Sequence, residues 1–218
     1  MTGLDVSVVI PCRDESGAIA AVVQDIPDGY EVIVVDNGST DGTGEVAAAA
    51  GARVIVEPQP GYGAAVHAGA SAAGGTVVCT IDGDGSMSPA DLPRLVECVS
   101  AGADLVVGAR RPTDRKAWPA HARIGSVSVA WWLRRQHGLP VTDIGPMRAI
   151  RRDQLLGLGI RDRGSGYPVE LLVRAARAGL RVDELTVDHA PRLAGRSKVS
   201  GSVIGSVRAG RDFLLALS

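Results

Sequence analysis

Short runs rich in valine and isoleucine alternate, in the first half of the chain, with longer stretches whose apolar letters recur at helical spacing. This pattern predicts strands over 5–10, 31–36, 53–56, 76–81 and 104–109. Helices are predicted over 17–26, around 46–50, over 63–73 and over 89–102. Pro11 is expected to end the first strand. Nearly continuous β-branched runs separated by helices describe a mostly parallel sheet with helices on both faces, an α/β layered domain. The second half is less regular. Residues 110–123 read as a basic surface loop, 124–135 and 169–180 as helices, 181–187 as a strand, 192–202 as a basic glycine-containing loop, and Val203 to Leu217 as a final helix. Trp131 and Trp132 are expected to pack in a helix interface.

Composition narrows this picture. The chain has 218 residues, 45% of them hydrophobic, which suits one domain over residues 1–218 with a sizeable core. A net charge of -1 gives no general attraction to nucleic acid. No run of about 18 apolar residues suggests a membrane span, and the first residues do not read as a secretion signal. Any membrane contact is therefore expected to be peripheral. Cys12, Cys79 and Cys98 are scattered and odd in number, which argues against a zinc cluster or disulfide framework and fits a reducing cytoplasm.

In open parallel sheets ligands bind beyond the carboxyl ends of the strands. Here those ends read "PCRDE", "DNGSTDGT", "EPQPGYG" and "DGDGS", all polar or glycine-rich. Asp82 and Asp84 flank Gly83, and in an extended segment residues i and i+2 face the same side. Both carboxylates can then reach one hard cation, Mg2+ or Mn2+; an Asp-Gly turn accounts for the same letters. An EF-hand is excluded, because its glycine and glutamate positions fall on Met87 and Pro93. The "GYGAAVHAG" stretch lacks the third glycine of a dinucleotide fingerprint, with Val66 in its place. It reads as a tight loop entering a helix, with backbone N–H groups available to an anion. Ser39, Thr40 or Asp41 is expected to cap the second helix. The four histidines show no ligand spacing, and Glu170 suits an acceptor-side polar group or a solvent-facing helix position equally.

Four stretches together resemble the family-2 nucleotide-sugar glycosyltransferases of GT-A fold: "SVVIPCRDE", "VIVVDNGSTDGT", "TIDGDGS" and "GYPVELLVRAARAGLRVDELTVDHAPRLAGRSKVSG". Within that family the final Arg192, Gly195, Ser197 and Lys198 pattern is most similar to the polyprenyl-phosphate (dolichol-phosphate) sugar synthases. The resemblance implies a nucleotide-sugar half over 1–110 and an acceptor half over 111–218. It implies Pro11, Arg13 and Glu15 near the nucleoside, Asp36 on the base or ribose, and Ser39, Gly63 and Gly83 lining the nucleotide site. Asp82 and Asp84 become the metal pair. Arg192, Ser197 and Lys198 close over the diphosphate, and Asp143 matches a family aspartate and is the candidate base for a hydroxyl acceptor. The implied reaction is inverting transfer from a UDP- or GDP-linked sugar, with polyprenyl phosphate the leading acceptor, at the inner membrane face. Arg110, Arg111, Arg115, Lys116 and Arg148 are the candidate cations for that phosphate. Transfer to a soluble hydroxyl, and a catalytically silent nucleotide-sugar binding module, are the rival readings. A sugar nucleotidyltransferase is disfavoured, since "PCRDESG" lacks its glycine-rich basic loop.

Overall fold

A computed structural model describes residues 5–114 and 117–194. Strands β1 (Val6–Cys12), β2 (Glu31–Asp36), β3 (Arg53–Val56) and β4 (Val77–Thr80) alternate with helices α1 (Ile19–Gln24), α2 (Thr43–Ala49) and α3 (Tyr62–Ala72). Then follow α4 (Leu92–Ser100), β5 (Leu105–Pro112), α5 (Ala120–His137), β6 (Arg148–Arg151), α6 (Arg152–Gly157), α7 (Tyr167–Arg177) and β7 (Val182–His189). The seven strands form one sheet in the order β3-β2-β1-β4-β6-β5-β7. β6 runs antiparallel to both of its neighbours, and the other pairings are parallel.

The period-2 alternation of the strands divides the core into two layers. Val8, Ile10 and Val34 face α1, α2 and α4, in a cluster with Ile19, Ala47 and Leu95. Val9, Ile33 and Val35 face the other way, clustering with Val66 of α3, Leu133 of α5, Leu155 of α6 and Leu172 of α7. Helices therefore cover both faces, as the valine-rich pattern predicts.

The structure departs from the sequence reading at several points. β1 continues through Pro11, which pairs with Val35. Pairing with β4 has already stopped at Val9, so the missing proline N–H costs no bond on that side. Arg110, Arg111 and Pro112 extend β5 instead of opening a loop, because β7 offers them partners up to His189. The rest of the expected basic loop is shortened by α5, which begins at Ala120. β6 and α6 were not expected. The letters "RAIR" carry too few apolar residues to announce a strand, yet insertion between β4 and β5 buries Arg148, Ala149 and Ile150 almost completely. Residues 195–218, with the expected final helix, lie outside the described residues.

Candidate functional site

The loops after β1 and β2 are laced together by side chains. The Asp14 N–H donates to Ser39 Oγ (3.0 Å), the Glu15 N–H to Thr43 Oγ1 (2.8 Å) and the Ser16 N–H to Asp41 Oδ2 (3.0 Å). In return, the Thr40 N–H donates to Asp14 Oδ1 at 2.8 Å. Asp14 adopts a left-handed conformation, φ 50°, which a short polar side chain tolerates better than most. Asp36, half-buried at the end of β2, accepts the Ser39 N–H on Oδ1 at 2.8 Å. Ser39, read from sequence as a nucleotide contact, thus has both its amide and its hydroxyl engaged in loop structure. The N-cap of α2 is Gly42, and Asp41 contributes from one residue earlier by accepting the Thr43 N–H at 3.1 Å.

Asn37 was missed in the sequence. It is buried, and its amide donates to the carbonyls of Glu57 (2.9 Å) and Gln59 (2.7 Å) while its oxygen accepts the Gly61 N–H (2.7 Å). One side chain therefore fixes the loop between β3 and α3. The "DN" pair was its signal: an amide beside a strand-end carboxylate satisfies backbone that a loop leaves open.

The backbone N–H groups expected to be open to an anion at the start of α3 are already engaged at Gly63 and Ala64. The Gly63 N–H donates to Gly164 O (3.0 Å) and that of Ala64 to Arg163 O (2.9 Å), so these amides bind the chain and not an anion. A side chain at Gly63 would lie 2.7 Å from Tyr167 Cβ. The glycine permits α3 to dock on α7.

Asp82 and Asp84 follow β4, as the sequence suggests. Gly83 between them is a steric necessity, since a Cβ there would lie 2.5 Å from Cys12 Sγ. Asp84 is buried; its Oδ1 accepts the Ser86 N–H (2.8 Å) and its Oδ2 pairs with Arg192 Nη2 (3.0 Å). Arg192 also reaches Glu15 Oε1 at 3.4 Å, so the segment after β7 returns over the loops after β1 and β4. Pro11, half-buried, and Arg13, exposed, lie at the same end of the sheet. Ser197 and Lys198 lie outside the described residues.

Burial pushes the Asp82 carboxyl up and the Asp84 carboxylate adds to the shift, while Arg192, Arg110 and Arg148 oppose it. Two carboxyls whose charges repel, Asp84 buried and Asp82 half-buried, form a hard oxygen donor set. That set fits Mg2+ or Mn2+, which bind through one or two carboxylates plus phosphate oxygens. Among the described residues no group of three His, Cys, Asp or Glu side chains forms a metal cage. His189, at the end of β7, stands close by with its ring edge-on to Trp118 at 6.0 Å. Burial lowers its pKa, as does Arg110, with Asp84 opposing.

Beside this lies a pocket of about 390 Å3, lined by Arg110, Trp118, Arg123, Arg134, Thr142 and Asp143, among others. Arg110 is one of its walls, stacked 4.0 Å from the centre of the Trp118 ring. Asp143 is almost wholly buried and holds Arg110 bidentately, Oδ2 to Nε at 2.7 Å and Oδ1 to Nη2 at 2.8 Å. It also accepts the N–H groups of Arg110 and Ile144 and the Ser126 hydroxyl. Burial alone would raise the Asp143 carboxyl, but hydrogen bonds from Arg110 and Ser126 outweigh it and hold the group below the usual carboxylate range. Such a carboxylate is a poor proton acceptor, and its geometry is that of a positioning residue.

Other expectations also change. Arg148 is 2% exposed and donates to Ile144 O at 3.1 Å, so it does not present a cation to an acceptor. Arg111 pairs with Asp188 at 2.7 Å, and Arg115 and Lys116 lie outside the described residues. Glu170 is neither acceptor-facing nor idle; it accepts the N–H of Asp162 (2.7 Å) and pairs with Arg174. Trp132 packs against the core, but Trp131 faces outward.

The model of the glycosyl transferase family 2 matches residues 7–156. The chain belongs to this family. An uncharacterized glycosyltransferase of Mycobacterium tuberculosis is 56% identical over the whole of both chains. An undecaprenyl-phosphate mannosyltransferase of Micrococcus luteus is 35% identical, covering 90% of this chain and 88% of that one. Among solved structures, glucosyl-3-phosphoglycerate synthase of Mycobacterium tuberculosis, crystallised with Mn2+, UDP and glucosyl-3-phosphoglycerate, superposes with a TM-score of 0.79. The two are 26% identical, over 99% of this chain and 79% of the synthase. The fold is of the GT-A type, and the chain is a family-2 glycosyltransferase.

Proposed function

We propose that the chain catalyses inverting transfer of a sugar from a nucleoside-diphosphate sugar to a polyprenyl phosphate, with Mg2+ or Mn2+ bound at Asp82 and Asp84. The observation that carries this reading is the adjacency of two differently built sites. The Asp82/Asp84 pair faces Arg192, and an arginine-lined pocket opens beside it. The similarity to a polyprenyl-phosphate sugar transferase supports the choice of acceptor.

Transfer needs negative charge on the departing diphosphate to be stabilised and the acceptor oxygen to be held for attack on the opposite face of the anomeric carbon. The bond from that carbon to the diphosphate oxygen breaks as the acceptor oxygen bonds to it. A divalent cation on Asp82 and Asp84 would supply Lewis-acid stabilisation of the leaving group. Arg192 adds a fixed positive charge, and Ser197 and Lys198 are proposed to join it. Pro11, Arg13, Glu15, Asp36 and the Gly83 backbone are proposed to line the nucleotide. A phosphate monoester is already ionised near neutral pH, with a second pKa of about 6, and needs no general base. It needs cations, which Arg110, Arg123 and Arg134 provide, and this agrees with an Asp143 committed to Arg110.

The test is a panel of UDP- and GDP-sugars with metal, scored for nucleoside diphosphate release with and without polyprenyl phosphate. Release only with the lipid phosphate is expected. Release driven by soluble alcohols or by phosphoglyceric acid, and not by the lipid, would replace the acceptor. No release with any donor would favour a binding module. Asp36→Ala is expected to weaken nucleoside diphosphate binding in calorimetry by roughly 1–3 kcal/mol, the scale of one buried polar contact. Unchanged affinity with a lowered melting temperature would assign Asp36 to the Ser39 turn alone.

A further inference from the structure

Helix α5 has two unlike faces. Ser126, Ala130 and Leu133 are buried against the domain. On the other side Ile124 is 67% exposed, Val127 46% and Trp131 64%, three of the five large hydrophobic residues that stand out as exposed among the described residues. At about 100° per residue these three fall on one stripe, with Arg123 and Arg134 along one margin and Arg135 along the other. From Ala120 to His137 the helix carries those three arginines and no acidic residue, although the whole chain has a net charge of -1. No helix among the described residues is long and apolar enough to cross a membrane. An apolar stripe margined by arginines, with an outward tryptophan, has the composition of a helix lying in a bilayer interface. The arginine stems follow the apolar surface and their heads meet anionic lipid.

We infer that α5 docks the protein on an anionic bilayer surface, the stripe Ile124, Val127 and Trp131 entering the headgroup region. Val127, Trp131, Arg123 and Arg134 also line the pocket beside Arg110, so docking turns that pocket toward the lipid. A lipid-borne phosphate can then enter without its chain leaving the bilayer. The purpose of the contact rests on the polyprenyl-phosphate reading; the contact itself does not, because it is measured without any acceptor.

The experiment is co-sedimentation with vesicles of phosphatidylcholine alone and of an equal mixture with phosphatidylglycerol, at low and high salt. The protein is expected to bind the mixed vesicles, less so as salt rises. Trp131→Ala is expected to weaken binding about tenfold or more, the scale of one apolar side chain returned to water. Arg135→Gln should weaken it about fivefold. The double variant Ile124→Ser, Arg135→Gln, which leaves the pocket lining intact, is expected to bind vesicles poorly. It should still melt like the unmodified protein and use a short-chain, water-soluble polyprenyl phosphate as well. Equal binding of the unmodified and variant proteins to either vesicle, or no binding, overturns the inference. So does a self-associated state in sedimentation velocity that Ile124→Ser dissociates, which would assign the stripe to a second copy. Vesicle binding without transfer to any polyprenyl phosphate would sink the acceptor assignment and leave this contact standing; transfer to the soluble analogue without vesicle binding would do the reverse.

Discussion

Asp84→Asn is expected to lower sugar transfer by a hundredfold or more, the scale seen when a main electrostatic stabiliser of a transition state is removed. Asparagine keeps the size of the side chain and can still accept the Ser86 N–H, which Asp84 receives at 2.8 Å. It loses the charge that Arg192 meets at 3.0 Å and that a divalent cation would need. Relief of the Asp82–Asp84 repulsion offsets the lost pairing with Arg192, so the variant should melt close to the unmodified protein while nucleoside diphosphate release collapses. EDTA added to the unmodified protein should do the same, with recovery on adding Mg2+ or Mn2+. Transfer at full rate in rigorously metal-free buffer would remove Asp82 and Asp84 from the reaction.

Asp143→Ala is expected to act on stability first. The carboxylate satisfies the Arg110 guanidinium, two backbone N–H groups and the Ser126 hydroxyl, all in a buried position. Removing one partner of a buried ion pair costs about 3–5 kcal/mol, because the other charge stays behind unpaired. In a domain of this size that is a fall in melting temperature on the order of 10 °C. The pH dependence has a definite sign. The folded carboxyl is held below its ordinary value, so its contribution is fully present above the unfolded pKa of about 3.9 and is lost as pH falls through the lower folded value. The difference in stability between the two proteins should stay constant from neutral pH down to about pH 5 and close below about pH 4. A constant difference at all pH values would mean that the carboxylate charge contributes nothing. Because Arg110 would lose its orientation, the acceptor's Michaelis constant should rise more than that of the donor.

The strands β1 to β5 and the loops of the proposed donor side could be read directly, because burial on both faces writes itself as unbroken valine and isoleucine, and strand-end loops as Asp, Gly, Ser and Thr. The second half of the sheet, with the proposed acceptor pocket, was harder to read for a physical reason. There, burial depends on pairing across the sheet and not on hydrophobicity: Arg148 is nearly inaccessible because β6 slots between β4 and β5. Arg110 could be named as a cation, but its clamping by Asp143 and Trp118 depends on residues distant in sequence coming together. The glycine of "GYG" misled because backbone amides read alike in sequence whether they face an anion or, as at Gly63, the carbonyl of Gly164. Arg123 and Arg134 went unremarked among many exposed arginines until the helix placed both on one pocket wall.

The reversed strand also bears on how the chain assembles. β1 to β4 can pair among themselves as soon as residues 5–80 exist, in a local parallel array. β5 has no such option: its neighbours are β6 and β7, both later in the chain, so residues 105–112 remain unpaired until 148–151 have been synthesised. Until then the outer edge of β4 is also open, and two apolar strand edges wait for the same short segment. β6, four residues long, is thus the segment that joins β5 to the β1–β4 array, and the nascent protein is most exposed to mispairing just before it arrives.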